Sequence, residues 1–484
     1  MKRFVSYILT GIAVFGLTAC NGFLDKGPVI SQSSELTLSD YAGLNKAVAG
    51  AYYFLGEKQW YGGERVLEAE MRSGNGIKCA GPKHNSNRYA SQMNWNYTPD
   101  ATSAFWEYAY TTISCCNNVL DNLEGKEGAD VTKQDLDNLK AEVLFIRALS
   151  HFDAVTLYAL PYTYVKANQA SLNEVQKAGI PYVYHTDPAG RPKRDDVLTV
   201  YDNIVKDLLE AEQAIDPSYV REGVADKKAA VTLPAIQALL SRVYLYMGEW
   251  QKAADYATKV INNKEYKLYS ASEYTEVWTG NVGGSEVIFE NYIDVNSRDN
   301  ENCSYMTYPE GSYGDCIASP ALLALYADGD VRRKMYRQDA EGTPGLFWTL
   351  KYEGKGLAVP DASNTVILRL SEMYLNRAEA IVNGATVAGT DALADLNAIT
   401  SNRGAAAWTA AGMEAVRTER RKELAWEGQY FFDMARWGLP VNREACFDLQ
   451  EKNRNIPFPD YRWALPIPKG ELEVNENLIQ NDKY

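Results

Sequence analysis

Apolar side chains recur at three- and four-residue steps along much of the chain, the spacing that places them on one face of an α-helix. In residues 366–383 the stripe is Ile367, Leu370, Tyr374, Ala378 and Ile381, while Arg369, Glu372, Asn376 and Glu379 lie largely off it. Residues 232–247 repeat the pattern through Ile236, Leu239, Leu240, Val243, Tyr244 and Met247. Thr232 offers an N-cap there, Pro234 fits the first turn, and Gly248 can end the helix. Glu249 and Trp250 then lead into a second stripe of Ala253, Ala254, Ala257, Val260 and Ile261. Two helices joined this tightly predict a tetratricopeptide-like unit, with Ser241, Tyr244, Gly248, Trp250 and Ala253 near its crossing. Similar pairs are predicted for 102–123 with 135–159 and for 366–383 with 391–401. Between 139 and 160 apolar residues occupy nearly every face, which predicts a buried helix. The predicted fold is mainly α, an irregular array of helix pairs with minor β such as Glu286-Val287-Ile288-Phe289.

Between the predicted helices lie long segments rich in Gly, Asn, Tyr and Pro, at roughly 56–100, 161–196, 270–320 and 339–365. Loops of that length are functional or disordered in most proteins, and their aromatic content favours order. Trp60, Tyr61, Tyr89, Trp95 and Tyr97 fall in the first; Trp278, Tyr292, Tyr305, Tyr308 and Tyr313 fall in the third.

The first twenty residues change the picture of where the chain works. Lys2 and Arg3 precede a short apolar run from Phe4 to Leu17, too short for a comfortable membrane span. It closes on Leu17-Thr18-Ala19-Cys20, which looks like a bacterial lipobox, with cleavage before Cys20 and acylation of that residue. Several acyl chains make a durable anchor, so the mature chain is expected to be held at a membrane without crossing it. Removing residues 1–19 leaves a lipidated tether over 20–40 and a single domain over 41–484. Without Lys2 and Arg3 the side chains number 47 basic against 63 acidic, a balance of −16. Such a surface excludes nucleic acid and an anionic bilayer as charge-driven partners.

Composition narrows the chemistry further. The chain of 484 residues carries 33 Tyr and 10 Trp but only three His. Scarce His lowers the expectation of general-base or metal chemistry, while rigid amphipathic rings suit both binding surfaces and cores. There is no CxxC pair, HExxH, P-loop, GxSxG or dinucleotide fingerprint, so no cofactor and no metal is expected. Cys303 and Cys316 bracket a Tyr- and Gly-rich loop and are the most plausible disulfide; Cys115 and Cys116 read as small buried helix residues.

The sequence resembles the SusD/RagB family of Bacteroidetes outer-membrane lipoproteins over nearly its whole length. The resemblance rests on Cys20-Asn21-Gly22-Phe23-Leu24-Asp25-Lys26-Gly27-Pro28, on Arg147-Ala148-Leu149-Ser150-His151-Phe152 with Tyr158 and Pro161, and on the run Arg369 to Ala380. It continues in Glu419-Arg420, Glu423-Leu424, Glu427-Gly428, Asp433 and Arg436-Trp437, then Leu465-Pro466-Ile467-Pro468 through Asn481. Tyr430 departs from the basic residue that often follows the Glu-Gly pair. The resemblance implies one α-rich fold that is not catalytic. It implies a cell-surface protein seated above a SusC-like TonB-dependent transporter, passing oligosaccharide to it, or oligopeptide in some relatives. In that picture the helical array docks on the transporter and the loops face the ligand.

Sugar capture needs aromatic faces against C–H faces and Asn, Gln, Asp or Arg for the hydroxyls. Loops 84–100 and 292–316 offer both, and the proposed contacts are Trp95, Asn96, Tyr97, Arg298, Tyr305, Tyr308 and Tyr313. Trp95 leads the set because it stands in an Asn-rich loop just before a helix. Trp250, Trp426 and Trp437 sit in helical patterns and read as core. Glu423 and Glu427 could be the two carboxylates of a glycosidase. A structural ion-pair network, with Arg420 relieving their repulsion, is the stronger reading. His151 reads as a satisfied core residue, and Asp328 and Asp330 as turn caps, with calcium as the lesser alternative.

Overall fold

The computed structural model describes residues 37–81, 86–101, 103–224, 226–279, 284–293, 307, 313–338, 344–352 and 363–484. Ten helices of ten or more residues are found among them. They are α1 Tyr41–Leu55, α2 Glu64–Ser73, α3 Ser103–Leu120, α4 Lys133–Tyr158, α5 Val197–Ala214, α6 Leu233–Met247, α7 Trp250–Ile261, α8 Leu370–Val382, α9 Ala392–Asn402 and α10 Met413–Glu423. Packing follows chain order: α1 lies on α3, α3 on α4, α4 on α5, α5 on α6, α6 on α7, α7 on α8, and α8 on α9. This succession is the tetratricopeptide-like array that the periodicity predicts. Short antiparallel strand pairs decorate it: Gly76–Lys78 with Cys316–Ala318, Val287–Asn291 with Thr365–Arg369, Tyr336–Arg337 with Trp348–Thr349, and Val441–Asn442 with Asn455–Ile456.

Local chemistry sets the helix ends. Thr132 and Asp135 form a reciprocal capping box on α4. Thr232 caps α6 through the Ala235 N–H, and Gly248 ends it in the left-handed region at φ 71°. Small residues let α6 and α7 approach: Ser241 Oγ donates to the Ala253 carbonyl at 3.0 Å, and Asn376 of α8 donates to the same hydroxyl at 3.2 Å. Tyr244 and Tyr256 stack at 5.7 Å beside the turn. The largest apolar core runs from Leu38 to Leu478 and has α4 along its length. Among the described residues no single helix is long and apolar enough to cross a membrane.

Three local expectations change. The stripe assigned to a helix over 366–383 starts in a strand, because Thr365–Arg369 pairs with Val287–Asn291 and the helix begins at Leu370. A Val-Ile-Leu run satisfies either geometry, and the neighbouring strand decides it. The segment 56–100, read as loop, contains α2, whose charged sequence is almost wholly buried. Trp60 and Tyr61 are core residues, and Tyr61 donates to Asp153 Oδ2 at 2.5 Å. Lys126 reaches the Ser39 carbonyl at 3.2 Å, tying the start of the described chain to the turn after α3.

His151 is the satisfied core residue expected. The Val183 N–H donates to its Nε2 at 3.2 Å, so Nδ1 carries the proton and donates to the Arg147 carbonyl at 2.9 Å. Burial, reinforced by Arg147, pushes its pKa down to about 3. A His depressed in the fold is neutral there while the unfolded chain takes a proton below about pH 6.5. Its contribution is therefore complete above that pH and is lost as pH falls towards 3. At pH 5 the loss is about 2 kcal/mol relative to pH 7. Urea unfolding at both pH values should show a smaller drop for His151→Gln than for the unsubstituted protein; an equal drop assigns the titration elsewhere.

Candidate ligand-binding face

Exposed side chains at Asn87, Arg88, Phe447 and Asp448 gather beside the short ladder Gly76–Lys78/Cys316–Ala318. The register places Lys78 opposite Cys316, and the Cys79 N–H donates to the Asp315 carbonyl at 2.8 Å. Lys78 is buried over its whole side chain, its ammonium paired to Asp448 and donating to Asn87 Oδ1 at 3.2 Å, so it supports the face from beneath. That ammonium lies 5.2 Å from the ring centre of Phe447, which is 43% exposed. Beside Asn87, the Arg88 guanidinium lies 3.7 Å over the Tyr313 ring and donates to Asp315 Oδ2 at 2.9 Å. The bond from Asp315, itself almost fully buried, holds the Arg88 pKa above its ordinary value. Asn87 and Arg88 thus join the Phe447 cluster to the Tyr313 cluster.

The support is rigid. Asn94 donates to the Asp448 carbonyl at 2.8 Å and accepts from the Gln450 N–H at 2.9 Å, so one amide fixes both ends of the 448–450 turn. Asp448 takes a left-handed conformation, φ 59°, which a short polar side chain tolerates best. Beneath lies a second core of Val66, Leu67, Met71, Met93 and Ala318. An exposed ring, a stacked guanidinium, a carboxylate and an amide are the groups a polyhydroxylated ligand requires.

The predicted contacts divide. Tyr313 belongs to this face, half-buried under Arg88. Trp95 and Tyr97 are corrected: both are core residues, 2% and 7% exposed. Trp95 Nε1 donates to the Arg72 carbonyl at 3.1 Å, and Tyr97 donates its hydroxyl to Glu68 at 2.5 Å. Asn96, between them, is exposed. Arg298, Tyr305, Tyr308, Cys20 and Cys303 lie outside the described residues. Phe447, Lys78, Arg88 and Asp448 were missed, although an aromatic ring in the polar run Cys446-Phe447-Asp448 carries the same signal that drew attention to Trp95.

The paired carboxylates are structural. Arg369 bridges Glu423 and Glu427, with Nη1 2.7 Å from Glu423 Oε1 and Nε 2.6 Å from Glu427 Oε2. Arg420, expected to relieve that pair, instead binds Asp433 at 3.0 Å and Asn376 at 2.7 Å. Burial alone would raise the Glu423 pKa, but Arg403, Arg369 and Arg332 outweigh it and hold the carboxylate well below its usual range. Glu427, against Arg369 and Lys351, is likewise depressed. Asp330 is a cap, accepting from the Arg332 N–H. Trp426 is fully buried, whereas Trp250 and Trp437 are only partly so. No cluster of three potential metal ligands occurs among the described residues.

A family model described as starch-binding associating with outer membrane matches residues 22–245, and the model of the SusD family matches 360–484. A SusD superfamily structure from Bacteroides thetaiotaomicron is 30% identical with a TM-score of 0.79, covering 91% of this chain and 99% of its own. The chain belongs to the SusD family. A putative sugar binding protein from Bacteroides vulgatus is 25% identical with the same TM-score, over 92% of this chain and 99% of that one. The starch-binding protein SusD of Bacteroides thetaiotaomicron is 22% identical over 100% of this chain and 99% of its own length. The tetratricopeptide-like array is thus the SusD fold.

Proposed function

We propose that the protein is a non-catalytic lipoprotein, anchored through Cys20 in the outer membrane, that captures oligosaccharide at the cell surface and passes it to a SusC-like TonB-dependent transporter. The observation that carries the reading is the face formed by Phe447, Asn87, Arg88 and Tyr313, with the buried Lys78 beneath it. Its exposed ring and stacked guanidinium present apolar area beside hydrogen-bonding groups that are already held in place. Two relatives whose names give starch or sugar as their ligand support the carbohydrate assignment. Tyr313 is a proposed contact, joined by Arg298, Tyr305 and Tyr308 from the segment that precedes it. Weak single-site affinity suffices for such a protein, because membrane tethering raises the effective concentration near the transporter.

Calorimetric titration against a panel of glycans and oligopeptides tests the assignment. Phe447→Ala should weaken oligosaccharide binding by about 1.5 kcal/mol, roughly tenfold. Its melting temperature should stay near that of the parent, since an exposed ring away from the core shifts stability by about 0.5 kcal/mol or less. Binding to peptides and to no glycan would overturn the carbohydrate assignment.

A further inference from the structure

A concavity that shares no lining residue with this face lies between the segment that follows α4 and the last residues of the chain. It measures about 190 Å³ and is walled by Leu160, Tyr164, Val175, Pro459 and Tyr461, with Gln176, Asp482 and Lys483 among its polar lining groups. We propose that this cleft is a binding subsite for a single uncharged sugar ring, distinct from the Phe447 face; the proposal rests on the carbohydrate reading of the protein.

Size sets the first limit. Clefts that take drug-sized ligands run to about 300–1,000 Å³, so this one admits one ring and not a chain. Wall chemistry sets the second. Tyr164 and Tyr461 supply aromatic surface next to Pro459 and Leu160, suited to the C–H faces of a pyranose.

Polar groups set the third. Gln176 spends its Oε1 on the Asn173 N–H in a helix cap, and its Nε2 makes no bond within the described residues. The hydroxyls of Tyr164 and Tyr461 likewise make none there. Lys483 Nζ faces the Tyr461 ring at 5.4 Å, and among the described residues no carboxylate is in ion-pair contact with it. Donors at this density around one small cavity fit a ligand with several hydroxyls.

Charge sets the fourth. Asp460 is held in a two-pronged pair with Arg462, at 2.8 and 3.0 Å, so it is neutralised within the wall. Asp482 and Lys483 remain and cancel. With Asp460 paired, the lining carries no net charge, so an uncharged ring needs no counter-charge from it.

The floor is fixed independently of any ligand. Arg194 donates to the carbonyls of Gly179, Ala178 and Ile479, and Asn481 donates to those of Tyr158 and Leu465. These bonds fasten the end of the chain across the array and hold the lining residues Ala178 and Asn481 in place. Lys483 sits in the left-handed region at φ 67°, a conformation uncommon for a long side chain, and it is this turn that brings Asp482 and Lys483 to the rim.

Saturation-transfer NMR with glucose, galactose, mannose and xylose, each tested alone, reads the subsite directly. At least one should receive saturation from the unsubstituted protein and from Phe447→Ala. The signal should fall at least tenfold in Tyr461→Ala and in Lys483→Ala, the second removing no core contact. Melting temperatures of both variants are measured alongside, and Lys483→Ala decides if Tyr461→Ala is unfolded. Signal that persists in a folded Lys483→Ala and Tyr461→Ala overturns the subsite. So does an absence of monosaccharide signal in a protein that still binds oligosaccharide at the Phe447 face. If neither monosaccharides nor any oligosaccharide bind, the carbohydrate reading itself fails, and the subsite fails with it.

Discussion

Replacing Arg369 by Met should destabilise the protein by about 3–5 kcal/mol, the cost of breaking a buried ion pair from one side. Arg369 is 1% exposed and binds three carboxylates: Glu286 at 3.0 Å, Glu423 at 2.7 Å and Glu427 at 2.6 Å. These belong to a larger connected set. Arg403 binds Glu286 and Glu423; Arg332 binds Asp330, Glu419 and Glu423; Lys351 binds Glu427; Lys422 binds Asp330 and Glu419. Five cations (Arg332, Lys351, Arg369, Arg403, Lys422) meet five anions (Glu286, Asp330, Glu419, Glu423, Glu427), so the formal charge is zero. Arg369→Met leaves one negative charge uncompensated among buried carboxylates.

Adding Glu427→Gln restores neutrality and should recover part of the loss, giving a coupling of roughly 0.5–3 kcal/mol in a double-mutant cycle. Simple additivity of the two losses would sink the account. The acid limb gives an independent sign. Glu423 and Glu427 have depressed pKa values, so their contribution is complete above the ordinary Glu value of about 4.3. It is lost only as pH falls below that value through the depressed ones. Arg369→Met removes a cause of the depression, so its acid unfolding should begin at higher pH than that of the parent.

The same network shows what a sequence can and cannot disclose. Glu423 and Glu427 stood out as paired carboxylates and their four-residue spacing made proximity legible, although α10 ends at Glu423 and Arg369, not Arg420, holds the two together. Their partners were not legible: Glu286 is 83 positions from Arg369, and no local pattern announces it. Helix α4 was legible because every face is apolar, and the α6–α7 pair because its caps and small residues are local signals. Helix α2 was not. Its Glu-Arg-Val-Leu-Glu-Ala-Glu-Met-Arg-Ser reads as a solvated surface until Asp153 is found 2.5 Å from Arg65 and the Gly428 N–H 2.9 Å from Glu70. Buried polar groups obey long-range accounting, and their distant partners are fixed by the fold alone.

Trp95→Ala should unfold the protein at a lower temperature, with a loss of about 3–5 kcal/mol from the cavity left by the ring. Its polar neighbours drew the residue towards the surface, yet Asn94 is polar for another reason, since its amide holds the 448–450 backbone. The Trp95 ring meets Trp463 edge to face at 4.9 Å and Phe431 at 5.5 Å, with the Arg72 guanidinium 4.8 Å from its centre. Truncation removes those contacts and leaves the Arg72 carbonyl without its indole donor. Trp95→Phe keeps an aromatic body and loses mainly the hydrogen bond, so its deficit should be smaller than that of the alanine variant. Oligosaccharide affinity, measured well below the lowered melting temperature, should stay within about twofold of the parent, under 0.5 kcal/mol. Unchanged melting with a tenfold weaker affinity would return Trp95 to the ligand. Its left-handed backbone, φ 51°, belongs then to the support of the face: it turns the chain inward after Asn94, buries the indole, and leaves Asn94 free to fix the loop that carries Phe447.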